Sequence, residues 1–329
     1  MRLLNIFTYF IIFTEVIGFN IITKKVKLKD TNLQNFHNDL EKMSLLSKII
    51  YDTDYNEKNK KEELENLNLD SKINFIRCDN FNCVKLDYLE LLSKSELHKN
   101  HDSKNRLQSI ILINHDLEEI IVIFRGSIYL DEWMKNLDIK EVELEFNKKF
   151  KIHRGIYQMY KENNLFLKLR DLYKHYPKYR KIFTGHSRGS VNSILSVFEL
   201  DSKLNEKYNY EIFGFGTPPI FNFLLGDYLN KKSNIKIYNV INNEDIITLL
   251  KLENRFHIGE EVLLDKNNIF IKKHNNPYNI NNCIKFTNFF KYIENHDLCN
   301  YIENIIKQSN NIENIIKQSN NIENIIMKK

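Results

Sequence analysis

The chain has 329 residues, 42% hydrophobic and 28% charged, with a net charge of +5. That is enough apolar material for the core of one large α/β domain or two smaller ones. Lys and Glu are interspersed along the whole length, without the compact basic block of a nucleic-acid binder, so no nucleic-acid partner is expected.

Met1 to Gly18 reads as a secretory signal peptide, with Arg2 as its positive end, an apolar run from Leu3 to Phe13 and a cleavage site near Val16-Ile17-Gly18. The run is too short for a spanning helix, so the expectation is cleavage and a secreted chain, with an uncleaved anchor as the alternative. Four cysteines, Cys78, Cys83, Cys283 and Cys299, suit two disulfides in an exported protein. The sequence-local pairing Cys78–Cys83 and Cys283–Cys299 is preferred. No CxxC pair is present, so no metal site is expected.

From Asp30 to Asn105 the chain is polar and reads as helical or irregular, with Ser44 to Tyr51 its clearest apolar stretch. Ser109 to Ile113 and Glu119 to Phe124 read as strands around the turn residues Asn114-His115-Asp116. Gly155 to His175 reads as helix, Lys181 to Thr184 as a strand, and Arg188 to Leu200 as a helix with Val191, Ile194, Leu195 and Phe198 at helical spacing. Tyr210 to Phe215 and Ile235 to Ile241 are further strands, with Pro218-Pro219 as a stop between them. Arg255 to Leu264 reads as one more. This alternation implies an α/β fold with a mostly parallel central sheet flanked by helices.

Residues 302–329 carry a repeat, Ile302-Glu-Asn-Ile-Ile-Lys-Gln-Ser-Asn-Asn, which recurs from Ile312 and begins again at Ile322. Each unit turns its apolar stripe backward by about 80° on an ideal helix, so no straight coiled-coil seam forms. A partly helical tail is expected, its first unit continuing a terminal helix.

Gly185-His186-Ser187-Arg188-Gly189 matches the nucleophile elbow, in which serine sits on a sharp strand-to-helix turn with its hydroxyl exposed. Serine needs a base to become a good nucleophile, and in this fold the order is Ser, acid, His. Asp245, at the end of a strand, is the candidate acid, with Asp265 and Asp297 as competitors. His296 is the candidate base. His257 reads as structural and His274 as a surface-loop residue. Arg188 N–H and Ser127, which ends the segment Phe124-Arg125-Gly126-Ser127, are the candidate oxyanion donors.

Taken together these motifs resemble the class 3 lipases, the fungal triacylglycerol-lipase family of the α/β-hydrolase fold. The resemblance rests on Phe124 to Ser127, His153-Arg154-Gly155, Gly185 to Ser190, Val240 to Asp245, Phe256 to Gly259 and His296-Asp297-Leu298, across roughly residues 30–301. It implies a Ser187–Asp245–His296 triad acting through an acyl-enzyme on lipid esters, with no cofactor. It also implies a short helical lid over Ser127 to Leu137 carrying the sole tryptophan, Trp133, and transient contact with a membrane or lipid-droplet surface. The alternative is a catalytically weak relative that binds lipid or a partner protein. The chain departs from the pattern at Arg188, where the family has Leu, at Ser190, where it has Gly, and at Thr248, where it has Pro. A cation at Arg188 is expected to favour anionic lipid head groups.

Overall fold

The computed structural model describes residues 30–52, 95–101, 107–127, 140–162, 164–242, 245, 247–248, 255–265, 268–272 and 295–308. The signal segment, Cys78, Cys83, Cys283, the lid with Trp133, His274 and residues 309–329 lie outside these.

The elements run α1 (Asp30–Asp52), β1 (Ser95–His101), β2 (Leu107–Asn114), β3 (Glu119–Phe124), β4 (Glu141–Leu144), β5 (Asn147–His153), α2 (Arg154–Glu162), α3 (Phe166–His175), β6 (Arg180–His186) and α4 (Arg188–Lys203). There follow β7 (Tyr210–Phe215), β8 (Phe221–Asn222), α5 (Phe223–Asn230), β9 (Ile235–Asn242), β10 (Arg255–Phe256), β11 (Glu260–Asp265), β12 (Asn268–Lys272) and a terminal helix α6 over 298–308. The main sheet has eight strands in the order β1-β2-β3-β6-β7-β9-β11-β12. From β3 to β11 neighbours pair in parallel, while β1-β2, β2-β3 and β11-β12 are antiparallel. This is an α/β-hydrolase fold with helices on both faces.

β3 shows why the sheet is covered twice. Its sequence EIIVIF is buried at every position, as a strand with both faces packed should be. Alternation sends Ile120, Val122 and Phe124 into one core with α2 to α5. Ile121 and Ile123 point into a second core, beneath α1 and α6. Leu40, Met43, Leu46 and Ile50 form the buried stripe of α1, and Tyr301, Ile302 and Ile305 that of α6. Each such side chain contributes about 1.5–3 kcal/mol by leaving water. The first repeat unit is therefore partly core.

At the N-terminal end of β6, Arg180 bonds Asp39 of α1 at 2.7 Å, Glu211 of β7 at 2.8 Å and Glu119 of β3 at 3.2 Å. This network fixes α1 across the sheet at the end opposite Ser187, so the same helix delivers Tyr51 to the other end.

Some expectations are revised. The helical run Gly155 to His175 is two helices, because Asn164 Oδ1 accepts the Phe166 N–H at 2.8 Å and restarts the chain. Arg255 to Leu264 is two strands in different sheets, separated where Gly259 turns at φ +90. The edge strand β1 appears where helical or irregular chain was expected, and the hairpin β4-β5 adds to the expected elements.

Candidate active site

The candidate residues Ser187, Asp245 and His296 gather at the C-terminal ends of the parallel strands, where loops meet in sheets of this kind. β6 ends at His186, α4 begins at Arg188, and Ser187 stands between them with φ 55 and ψ −124. A non-glycine residue at positive φ is costly and persists only where its surroundings enforce it. Here the Ser187 N–H donates to Phe215 O at 2.8 Å, and Ser187 O accepts from the Ser190 N–H at 3.1 Å and from the Ser190 hydroxyl. The turn also requires Gly189. A Cβ there would lie 2.2 Å from Phe124 O. Ser190, a departure from the family pattern, is absorbed because its hydroxyl donates to the Ser187 carbonyl. No side chain caps the start of α4, so the positive end of the helix dipole faces the elbow.

Asp245 is fully buried. Its Oδ2 accepts from His296 Nδ1 at 2.8 Å and from the Tyr301 hydroxyl, and its Oδ1 accepts from the Ile247 N–H at 2.8 Å. Burial pushes the carboxyl pKa up, but the interaction with His296 and the other donors outweigh it, and the net shift is downward. Asp245 is thus held ionised. With Nδ1 donating to it, His296 presents a lone pair at Nε2, a buried atom with no hydrogen-bond partner among the described residues. The hydrogen bond between Ser187 and His296 is not closed. Such bonds often tighten only with substrate bound.

His296 is fixed from behind. His186 Nε2 bonds the main-chain carbonyl of His296 at 2.7 Å, and the two rings lie 4.6 Å apart. Burial, then the proximity of His296, lowers the His186 pKa to about 3. His186 is therefore neutral, donates from Nε2 and accepts the Tyr51 hydroxyl at Nδ1, 3.1 Å away. Asn242, ending β9, donates to Asn295 O at 3.2 Å and accepts from Asn304 at 2.6 Å. Gly216, at φ +60, lies under the pair. A Cβ on it would meet His296 Cε1 at 2.9 Å and Asp245 Oδ2 at 3.1 Å.

The competing residues sort themselves. His257 accepts from Asn239 Nδ2 at 2.6 Å and donates to Thr248 O at 2.7 Å, while the Thr248 hydroxyl holds Asp245 O at 2.8 Å. It supports the acid loop, and Thr248 serves where the family has Pro. Asp297 is exposed and accepts from the Cys299 N–H at 2.7 Å. Asp265 ends β11.

β3 runs directly into Arg125, Gly126 and Ser127 beside the elbow. A Cβ on Gly126 would reach 3.3 Å from Ser187 Cβ. The packing of the Arg188 side chain speaks against the expectation of a cation that favours anionic lipid head groups. Arg188 is 9% exposed, and its guanidinium donates to Gly126 O at 3.2 Å, Gln108 Oε1 at 3.3 Å and Met159 Sδ at 3.2 Å. The charge faces inward against the Arg125 to Ser127 loop. Burial, then the Arg188 charge, lowers the Arg125 pKa to about 10.

Tyr51, His186, Tyr301 and Gln108 join the site beyond the expected residues. His186 lies inside the elbow motif, which is a local signal. Tyr51 closes the apolar stretch of α1. Nothing local marks Gln108 or Tyr301.

Residues 121–254 match the class 3 lipase family. The chain is 27% identical over 154 residues to a lipase of Rhizomucor miehei, an alignment covering 45% of this chain and 42% of that protein. The chain thus spans about two fifths of the length of this curated relative. Among solved structures, a Rhizomucor miehei lipase–propeptide complex superposes with a TM-score of 0.61 at 18% identity, covering 80% of this chain and 77% of the other. A triacylglycerol lipase described as having a serine-protease triad at its catalytic centre superposes with a TM-score of 0.54 at 20% identity, covering 72% and 93%. At such identities these neighbours speak to the class 3 lipase fold alone.

Proposed function

We propose that the protein hydrolyses carboxylic esters of lipids through a Ser187–His296–Asp245 triad. The observation that carries this reading is the buried His296 ring. Its Nδ1 is fixed by an ionised carboxylate and its Nε2 has no hydrogen-bond partner among the described residues, while its ring lies 4.6 Å from that of His186, the residue before the serine on the positive-φ elbow.

Ser187 Oγ attacks the ester carbonyl while His296 Nε2 takes its proton, and Asp245 stabilises the imidazolium. The Ser127 and Arg188 N–H groups bind the oxyanion of the tetrahedral intermediate. His296 then gives its proton to the departing alcohol and leaves an acyl-enzyme on Ser187. Water, deprotonated by His296, attacks that acyl group, and His296 returns the proton to Ser187 Oγ as the acyl–oxygen bond breaks and the fatty acid leaves. No metal or cofactor takes part. Oxyanion-hole donors of this kind are worth on the order of 10²–10³ in kcat.

The substrate class is inferred from the likeness of residues 121–254 to class 3 lipases, and so is transient docking on a lipid surface. Export is inferred from Met1 to Gly18, and N-terminal sequencing of the mature protein tests it. An ester panel varying in chain length and head group, assayed above and below the solubility limit, tests the activity. Hydrolysis abolished by Ser187→Ala supports the reading. Folded protein that hydrolyses none of the esters contradicts it.

A further inference from the structure

We propose that the Arg188 guanidinium is a positioning residue that aligns and polarises the oxyanion-hole peptide between Gly126 and Ser127. This rests on the hydrolase reading and assigns the Arg188 side chain a part in it.

The geometry concerns one peptide unit. Arg188 Nη2 donates to the Gly126 carbonyl at 3.2 Å. That carbonyl belongs to the peptide whose N–H is Ser127's, the expected oxyanion donor. In a planar trans peptide the C=O and N–H point in opposite directions. A donor held on the carbonyl therefore fixes where the N–H aims on the other side. A cationic donor also draws electron density from the amide and makes its N–H a stronger donor, as hydrogen bonds in series do.

The guanidinium is itself held in place. Gln108 Oε1, on β2, accepts from Nη2 at 3.3 Å, and Met159 Sδ, on α2, accepts from Nη1 at 3.2 Å. β2 also supports the loop through its main chain, since Gln108 O accepts the Arg125 N–H at 2.9 Å. The side chain is buried, so the charge acts through a poorly screening surround. On the near side, the Gly126 main chain also bonds the Tyr51 phenol. Residue 188 thus serves the oxyanion twice. Its own N–H stands at the start of α4, and its side chain orients the N–H on the opposite wall. A leucine, which the family pattern has here, offers no such donor.

The test uses the full-length protein, a soluble short-chain p-nitrophenyl ester and a trifluoromethyl ketone of matching acyl length, which forms a tetrahedral oxyanion on serine. Arg188→Met keeps length and apolar bulk without charge or donors. Arg188→Gln keeps a neutral donor. The proposal expects Arg188→Met to lower kcat about tenfold or more with KM within about twofold, a fraction of what losing a direct donor costs. Ketone affinity should weaken by the same factor as kcat/KM, and Arg188→Gln should fall between Met and wild type. A merely structural role would change thermal stability and leave the ratio of ketone affinity to KM at its wild-type value. Folded Arg188→Met with wild-type kcat and ketone affinity overturns the proposal. Should Arg188→Met fail to fold, Arg188→Gln decides: wild-type values there overturn the proposal, and a parallel loss in kcat and ketone affinity supports it. Absence of hydrolysis by the wild type would instead sink the hydrolase reading, so the two failures are distinguishable.

Discussion

His186 donates a 2.7 Å hydrogen bond from Nε2 to the main-chain carbonyl of His296. The residue before the nucleophile thus holds the loop of the base. Burial, not this contact, keeps the His186 ring neutral, lowering its pKa from 6.5 to about 3. Above pH 6.5 the ring is neutral folded or unfolded, and its full contribution is present. Between pH 6.5 and 3 the unfolded chain binds a proton that the folded chain refuses, so stability falls with pH. One proton gives a slope of about 1.4 kcal/mol per pH unit. Asp245, with its pKa depressed, acts in the same direction: its contribution is present above the unfolded value of 3.8 and is lost as pH falls through the folded one. Urea denaturation from pH 7 to pH 4 should show the slope. His186→Gln, which keeps a donor but cannot take the proton, should flatten it by about one proton. An unchanged slope would show that His186 titrates normally.

Gly216 supplies a second prediction. An alanine Cβ there would press on both His296 and Asp245, and alanine is strained at φ +60. The backbone strain costs about 1–3 kcal/mol. The larger effect should be on catalysis, because misplacing a base by about 1 Å costs roughly 10²-fold. Gly216→Ala is expected to remain folded at low temperature with kcat reduced by that order. Wild-type kcat in the folded variant would mean that His296 is not the base.

Tyr301 supplies a third. Its hydroxyl donates to Asp245 Oδ2, and burial raises its pKa well above 10, so it remains a donor. Tyr301→Phe removes a hydrogen bond to a buried charge, worth about 1.5–3 kcal/mol. The melting temperature should fall accordingly. Asp245 keeps the Ile247 and His296 donors, so kcat should fall less than in Gly216→Ala. A melting temperature unchanged within error would show that the phenol does not stabilise the carboxylate.

Much of this site is legible in the sequence because it is local. The elbow needs one strand, one helix and small residues between, and all are contiguous from Arg180 to Phe198. β3 declares itself by a continuous apolar run. Asp245 and His296 follow from chain order, and the structure brings them to 2.8 Å. What was hidden depends on distant partners. β1, SELHKNH, is an edge strand whose pattern carries little apolar signal, and its place is fixed by pairing with β2. Tyr51 and Gln108 matter only because α1 and β2 bring them to the elbow. Arg188 is the clearest instance. Its position beside Ser187 is written in the motif, but its direction is set by the Gly126 carbonyl and Gln108, neither of which is near it in the chain. A reading from position alone points the cation toward substrate, whereas packing turns it into the wall of the oxyanion loop.

The central claim is that Ser187 is a nucleophile activated by His296. Incubation with a fluorophosphonate probe, followed by peptide mass mapping, tests it most directly. The account predicts one covalent adduct per chain, on Ser187, absent in Ser187→Ala and formed at least about 10²-fold more slowly in His296→Ala. Folded wild-type protein that takes up no probe, or takes it up at another residue, would contradict it.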